Sequence, residues 1–358
     1  YPNSTQRQAL DRVLDIHRQL YNAALQERRE AWRKCRISLT YRDQANQLKE
    51  LRTFDEDAAW LNYSSIQQTL RRLDKAFQAF FRRVKAGEEP GYPRFKGKGW
   101  FKSVCYVYGD GIRLKAGRLY VQHVGLLRIF QHRAIPDDAQ IKMVVLKRDK
   151  LGNWYVCLQL ELPDPEPDDL MGPEVGLEMG LLSFATLSTG EQIDNPRWFR
   201  ASEAKLAVLQ RRRARCQRGS RQYRELTRQI RRLHEHIAKQ RRDFHHKVST
   251  ELVRRFGLIA VEALNLNGLC RSHVSKSMGD AGWGYFLAML SYKAENAGKT
   301  VVKVDPHHTS QCCSGCGGLV KKPLSERLHV CPDCGLVLDR DHNAALNILG
   351  RGQRLTVK

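Results

Sequence analysis

No apolar run in this chain of 358 residues approaches the roughly 18 that a membrane-spanning helix needs, so the sequence does not describe a helical membrane protein. No signal peptide is visible at the N-terminus, and no segment repeats at a fixed period. Acidic residues are in short supply: 38 Asp plus Glu stand against 61 Lys plus Arg, a net charge of +23. So large an imbalance calls for a polyanionic partner, nucleic acid first. An anionic membrane surface would need a broad apolar face opposite the basic one. The cations here alternate with Gln, Tyr, His and Trp instead, and no membrane partner is expected. With 42% hydrophobic and 28% charged residues, wholly disordered and peptide-like readings are excluded. At about 150 residues per domain, the length suggests two or three domains. The chain opens at Tyr1 rather than Met, and a short leading segment is expected ahead of it.

Cysteine spacing carries more than cysteine number. Cys35, Cys105, Cys157, Cys216 and Cys270 are scattered singly and read as reduced, buried small hydrophobes, whereas Cys312, Cys313, Cys316, Cys331 and Cys334 crowd into 23 residues. That is metal spacing in a reducing compartment. Cys313-x-x-Cys316 and Cys331-x-x-Cys334, with fourteen residues between them and each trailed by glycine, predict a structural zinc ribbon. Four thiolates leave no open position, so the ribbon is a scaffold or a nucleic-acid contact and not a catalytic centre. Cys312 is left over, with His307 and His308 as lesser candidates for ligation.

Along the chain, Leu10, Val13, Ile16, Leu20 and Leu25, then Ile66, Leu70, Leu73, Phe77 and Phe80, recur near the 3.6-residue period and predict a helical subdomain over residues 1–88. Between Gly87 and Gly99 the glycines and prolines end it, and Tyr92, Arg94, Phe95 and Lys96 interleave aromatics with cations in a pattern suited to bases and phosphates. Alternation then takes over: Ile112-Arg-Leu-Lys and Arg118-Leu-Tyr-Val-Gln, Lys142-Met-Val-Val-Leu and Trp154-Tyr-Val-Cys-Leu-Gln-Leu read as hairpins of a small β-barrel-like domain, residues 89–168. An acidic, proline-rich linker follows at 163–169, then an apolar strand from Val175.

Between Arg200 and Lys247, sixteen Lys and Arg face four Asp and Glu, about half of the protein's whole excess. Gly219-Ser220 divides this section into two antiparallel helices. Arg211, Arg212, Arg215, Arg218, Arg224, Arg228, Arg231 and Arg232 make it a basic rail for phosphates, the plainer alternative being a solvated face. Beyond it come a buried strand at Leu258, a helix around Trp283–Ala297, a strand at Thr300, and a strand turning into a helix after Leu336.

Three acids sit at element ends: Glu178 in the strand that opens the second half, Glu262 closing a buried strand, and Asp341 or Asp339 at the last strand-to-helix junction. A charge inside an apolar strand is expensive unless paired or metal-bound. Acids from distant segments can converge on Mg²⁺ for phosphodiester hydrolysis; they can equally be helix caps or ion-pair partners.

Taken together, Val175-Gly-Leu-Glu-Met-Gly-Leu-Leu-Ser-Phe-Ala-Thr-Leu, Asn195-Pro-Arg, Gln240-Arg-Arg-Asp-Phe-His-His-Lys, Ile259-Ala-Val-Glu-Ala-Leu-Asn-Leu, Tyr292-Lys-Ala-Glu, Val304-Asp-Pro-His-His-Thr-Ser-Gln and Cys331-Pro-Asp-Cys-Gly-Leu-Val-Leu-Asp-Arg-Asp-His-Asn-Ala-Ala-Leu-Asn-Ile-Leu, in that order, resemble the TnpB family of transposon-encoded RNA-guided nucleases, relatives of the type V CRISPR effectors. The resemblance runs over nearly the whole chain. It implies a multidomain α+β protein: a helical recognition subdomain (1–88) whose leading wedge strand would lie ahead of Tyr1, a wedge β-barrel (89–168), and an RNase H-like (RuvC) α/β domain in two parts (169–306 and 336–358) around an inserted zinc ribbon (307–335). It implies a guide RNA from the transposon end, double-stranded DNA cut beside a short adjacent motif, catalytic Mg²⁺ and structural Zn²⁺, and a nucleoid-associated place in a prokaryotic cytoplasm. It carries no reading of oligomeric state.

By position, the family's metal ligands fall at Glu178, Glu262 and Asp341. Asp341 is preferred to Asp339 because it directly precedes x-Asn-Ala-Ala, leaving Asp339 to cap the helix or orient Arg340. The family's first ligand is Asp, and this chain has Glu178 there. Two readings therefore stand side by side, a RuvC-type nuclease and a guided DNA binder or repressor with impaired cutting. A DNA-only transposase or resolvase of the same fold is a third.

Overall fold

A computed structural model describes residues 1–164, 172–265, 275–323 and 326–356. The linker from residue 165 onward and Cys270 lie outside the described residues; of the other single cysteines, expected to be buried, Cys35 and Cys157 are exposed and Cys105 and Cys216 only half-buried. The chain divides into two compact units, Tyr1–Pro163 and Asp164–Lys358.

In the first unit, α1 (Ser4–Cys35) starts from a capping box between Asn3 and Gln6 and ends where Arg36 turns left-handed. Helices α2 (Tyr41–Phe54), α3 (Glu56–Trp60) and α4 (Tyr63–Lys85) follow, capped by Thr40, Asp55 and Asn62. Strands β1 (Ser103–Val107), β5 (Gln140–Arg148) and β6 (Trp154–Glu161) form one antiparallel sheet, with β5 central. A second sheet joins β2 (Ile112–Lys115), β3 (Arg118–Val121) and β4 (Gly125–Arg128). The hairpins expected from the alternation are thus present as two three-stranded sheets. Helices and sheets share one core: Leu10, Leu25, Leu70 and Leu73 pack in the same cluster as Phe101, Val104, Ile112 and Val144. Arg72 of α4 clamps β1, donating to the carbonyl and hydroxyl oxygens of Ser103. Periodicity changes from 3.6 to 2 at residue 88, but neither half closes a core without the other.

His17 is wholly buried in this unit, between Thr69 Oγ1 (2.8 Å) and Ser65 Oγ (3.3 Å). Burial, helped by the Arg72 charge, holds its pKa down at about 3. The folded protein therefore keeps His17 neutral where the unfolded chain takes up a proton, and stability is lost as pH falls from the unfolded value of 6.5 toward 3. At about 1.4 kcal/mol per pH unit, His17 alone costs the first unit about 2 kcal/mol at pH 5. Denaturant titrations at pH 7 and pH 5 should show that loss in the parent protein and a shallower one in His17→Gln; equal slopes would disprove it.

The second unit is built on a five-stranded sheet ordered β11-β10-β7-β8-β9. Strands β7 (Glu174–Met179), β8 (Ser183–Leu187) and β9 (Gln192–Asp194) form an antiparallel meander. β10 (Leu258–Glu262) and β11 (Thr300–Val304) extend it in parallel from β7. The apolar stretch from Val175 is therefore two strands, turning where Gly180 N–H donates to the Phe184 carbonyl, and not one. One sheet face packs on helices α6 (Arg221–Arg255) and α8 (Trp283–Asn296): Val175, Leu177, Ile259 and Val261 meet Leu252, Phe286 and Leu290. The other face carries α9 (Arg340–Thr356).

Two glycine-dependent contacts set that second packing. A Cβ at Gly176 would stand 2.0 Å from the Ala345 carbonyl oxygen, and one at Gly352 only 2.5 Å from Ala260 Cβ. The helix thus lies directly on β7 and β10, closer than any larger side chain allows. Helices α5 (Trp198–Ala214) and α7 (Ser275–Ala281) and the small hairpin of β12 (Leu328–Val330) and β13 (Val337–Asp339) complete the unit. Among the described residues no helix is long and apolar enough to cross a membrane.

Candidate active site and metal centre

Strand alternation decides where the acids point. Gly176 faces α9, so Glu178, two residues on, faces it too; Ala260 faces α9, and so does Glu262. Val261 pairs with Leu177 across the parallel ladder, which makes Glu262 and Glu178 neighbours on adjacent strands. Asp341 sits in the first turn of α9, its Oδ2 lying 3.8 Å from where a Cβ on Gly180 would be. Asp339 caps that helix by accepting from the backbone N–H of Asp341 (2.9 Å) and His342 (3.1 Å). Of the two aspartates at the junction, Asp341 is the one aimed at the sheet acids.

All three carboxyls have raised pKa values, and burial is the first cause of each. Burial acts first on Glu178, then the charges of Glu262 and Asp341, and together they push it well above the ordinary carboxylate range against an opposing Arg340. Its Oε2 is sealed from solvent with no hydrogen-bond partner. Burial also raises Glu262, opposed by the Thr309 hydroxyl and by Arg351, and it raises Asp341, opposed by Arg327, whose Nη1 lies 3.5 Å from Asp341 Oδ1. A partnerless buried carboxylate oxygen among like charges is a costly arrangement that a cation relieves.

Cys313, Cys316, Cys331 and Cys334 bring their sulfurs within 4.8 Å of one another, the one group of three or more metal-donor side chains drawn that close among the described residues. Cys313 and Cys334 are 3.6 Å apart, as are Cys316 and Cys331. A tetrahedron with metal–sulfur bonds of about 2.3 Å has edges of about 3.8 Å, so this donor set fits one zinc ion. Each pair closes a knuckle in which the glycine after its second cysteine, Gly317 or Gly335, adopts positive φ and donates to the carbonyl of the first. Burial pushes the Cys313 thiol up, but hydrogen bonds from the Cys316 backbone and from His329 outweigh it and bring it to about 6. Cys312 is engaged through its carbonyl, which accepts from Asn343 and Asn347.

Residues 157–273 match the family described as "Probable transposase", residues 283–348 the Cas12f1-like TNB domain, and residues 1–36 a helix-turn-helix domain. A Streptomyces pristinaespiralis protein named as an RNA-guided DNA endonuclease is 34% identical over 98% of this chain and 87% of its own. The chain belongs to the TnpB family. A second relative, InsQ of Escherichia coli K12, also named as an RNA-guided DNA endonuclease, is 30% identical over 98% of this chain and 90% of its own. Cas12f1, solved in a complex with guide RNA and target DNA, superposes with a TM-score of 0.62 at 16% identity, covering 95% of this TnpB-family chain and 81% of the other. The two share a multidomain α+β fold. The stretch matched as helix-turn-helix is here the single continuous helix α1.

In this TnpB-family chain the basic rail is the hairpin of α5 and α6, with Ser220 capping α6. Arg211, Arg212, Arg215, Arg218, Arg224, Arg228, Arg231 and Arg232 are all exposed, and Arg228 pairs with Glu225. In the loop, Tyr92 and Phe95 are each 44% exposed but also packed in part against the helices. Tyr92 packs edge-on against Phe77 and Phe80, Phe95 lies under Arg29, and Lys96 reaches over Tyr21 while its backbone is gripped on both sides by the Asn22 amide. Arg94 is exposed. The aromatic most open to a base near this loop is Trp100, 75% exposed with Lys102 against its ring; sequence reasoning passed it over because it follows the Gly-rich run. Thr309 and Arg327 were also missed, although Thr309 stands inside a family motif.

Proposed function

We propose that the protein is an RNA-guided DNA-binding protein with a RuvC-type, metal-dependent endonuclease site that cuts target DNA beside a short adjacent motif. The observation that carries this reading is the meeting of Glu178, Glu262 and Asp341 on the α9 face of a sheet ordered β9-β8-β7-β10-β11. The names of the two relatives support the RNA-guided part. In this reading residues 1–88 and 89–168 serve as recognition and wedge regions, 169–306 and 336–358 as the RuvC domain, and 307–335 as a zinc ribbon held by the four cysteines.

Mg²⁺ suits the acid site: its donors are all oxygens, one of them sealed without a partner, and their repulsion wants a cation. Glu178, Glu262 and Asp341 would hold it, and bound there it would supply an activated water and a stabilised leaving oxygen. The chain's own residues prepare that site. Asp339 fixes the helix start that presents Asp341, Arg327 pairs with Asp341, and Thr309 holds Glu262. The α5–α6 rail, with exposed arginines on both helices, would bind the phosphates of a guide RNA and of its heteroduplex with DNA, base pairing supplying the sequence choice. The guide would come from the transposon end, and the protein would work on the nucleoid of a prokaryotic cytoplasm.

Glu178 favours a second reading, a guided binder or repressor with weakened cutting. It is one methylene longer than the family's Asp, its Oε2 is already sealed, and its carboxyl holds its proton well above the ordinary range. Mg²⁺ demands near-octahedral geometry at about 2.0–2.1 Å and tolerates such a displacement poorly.

The test is to co-express the chain with its flanking transposon-end RNA and incubate the complex with a matched plasmid and Mg²⁺, with Glu178→Asp alongside. Cutting by the chain as it stands supports the nuclease. Cutting by Glu178→Asp alone, with equal target binding, supports the guided binder. RNA-independent binding by both would overturn both readings in favour of a DNA-only transposase or resolvase.

A further inference from the structure

Residues 305–314 run from the end of β11 to the first zinc knuckle, and one face of α9 holds them. Asn343, Asn347 and Arg351, spaced four residues apart and therefore stacked along the helix, each bind this segment's backbone. Asn343, fully buried, takes the Ser314 N–H (2.9 Å) and donates to the Cys312 carbonyl (2.7 Å). Asn347 donates to the carbonyls of Thr309 (2.9 Å) and Cys312 (2.7 Å). Arg351 donates to those of Asp305 (2.7 Å) and His307 (2.8 Å). His308 turns left-handed at φ 59°, a conformation a non-glycine residue adopts at a cost, and its carbonyl takes the N–H groups of Gln311 and Cys312. That turn carries Thr309 inward to 3% exposure, where its hydroxyl donates to Glu262 Oε1.

We propose that Thr309 is a positioning residue for Glu262: its hydroxyl fixes one carboxylate oxygen and so the plane in which the other meets a cation, while the α9 seam and the zinc knuckle fix Thr309. The assignment rests on the acid-site reading above. Glu262 closes a short strand and lies beside two further acids, so without a donor its side chain would turn away from their charge. Thr309 is the only hydrogen-bond donor to Glu262 named among the described residues. Donors that orient metal-binding carboxylates in this way are worth about 10- to 100-fold in metal affinity.

The experiment uses the full chain bound to its guide RNA and follows Mn²⁺ binding by the loss of the free-ion electron paramagnetic resonance signal, with zinc content and target binding measured on the same samples. Thr309→Val, which keeps the shape and removes the hydroxyl, should weaken Mn²⁺ by about 10- to 100-fold with zinc and target binding unchanged; Thr309→Ser should restore affinity to near the parent's. Thr309→Ala must show the same weakening and stands in if the valine variant does not fold. Parental Mn²⁺ affinity in the valine or alanine variant overturns the proposal, as does a serine variant no better than valine. Should the parent bind no Mn²⁺ that Glu262→Gln removes, the acid-site reading falls first and this one with it.

Discussion

Glu262→Gln is expected to abolish strand cutting by at least about a thousandfold, in the parent or in Glu178→Asp, whichever cuts, and to leave target binding unchanged. Glutamine keeps the shape of the side chain, and its carbonyl still accepts the Thr309 hydroxyl, so what it removes is charge. The same change should stabilise the metal-free protein. All three acids have pKa values raised by burial, and Glu178 is raised further by the charges of Glu262 and Asp341. A raised carboxyl pKa means that the folded state keeps a proton the unfolded chain has released, so stability is full at acid pH and is lost as pH climbs above the ordinary carboxylate range. At pH 7 without metal, each of these acids therefore works against folding.

Mg²⁺ reverses that balance only where the carboxylates can hold it. At 100 times its dissociation constant a ligand adds about 2.7 kcal/mol, some 5–10 °C for a domain of this size. Thermal unfolding with and without Mg²⁺ should show that rise in the parent and none in Glu262→Gln, whose metal-free midpoint should itself be higher. A full Mg²⁺ response in Glu262→Gln would remove Glu262 from the site whatever happened to cutting.

Glu178 and Glu262 stood out in the sequence because they put charge into apolar strands, whereas Asp341 and Asp339 shared one junction and only the family resemblance preferred Asp341. Their convergence was not legible. It depends on Gly176 and Gly352 letting α9 lie on two strands that are 84 residues apart in sequence, and no period within either strand reports that contact. The hairpin inside Val175–Leu187 was hidden for a similar reason, since both of its strands are buried and their apolar runs join across a three-residue turn. In the first unit the change of period at residue 88 marks a change of secondary structure, whereas the core that joins Leu70 to Val104 and Val144 comes from tertiary packing. The aromatics of the 89–99 loop serve two surfaces: Tyr92 packs against α4 and Phe95 under Arg29 of α1, while each ring stays 44% exposed, and the spacing of aromatics and cations alone does not report that packing.

Replacing Cys331 and Cys334 with Ser should lower zinc from one ion per chain to near none and unfold the region between α8 and α9. The reason is what that region lacks. Between residues 307 and 339 the buried apolar side chains, among those described, are Cys313 and Cys331 themselves, while Leu319, Leu328, Val330 and Val337 are about half exposed. A hairpin of two three-residue strands does not persist unaided in water. Metal binding would supply the missing stability, about 10–16 kcal/mol in comparable four-ligand sites at neutral pH. The loss should travel along named contacts: Arg327 would leave Asp341, Asp339 would lose the strand that carries it, and the Ser314 and Cys312 links to Asn343 would open, freeing Thr309 from Glu262. Hydrogen exchange should therefore rise across 305–345 and cutting should disappear, while α1–α4 and β1–β6 keep their protection. Zinc content by mass spectrometry checks the first step; a parent protein that purifies without zinc, or a double variant that keeps it, would mean that the four cysteines do not hold a zinc ion.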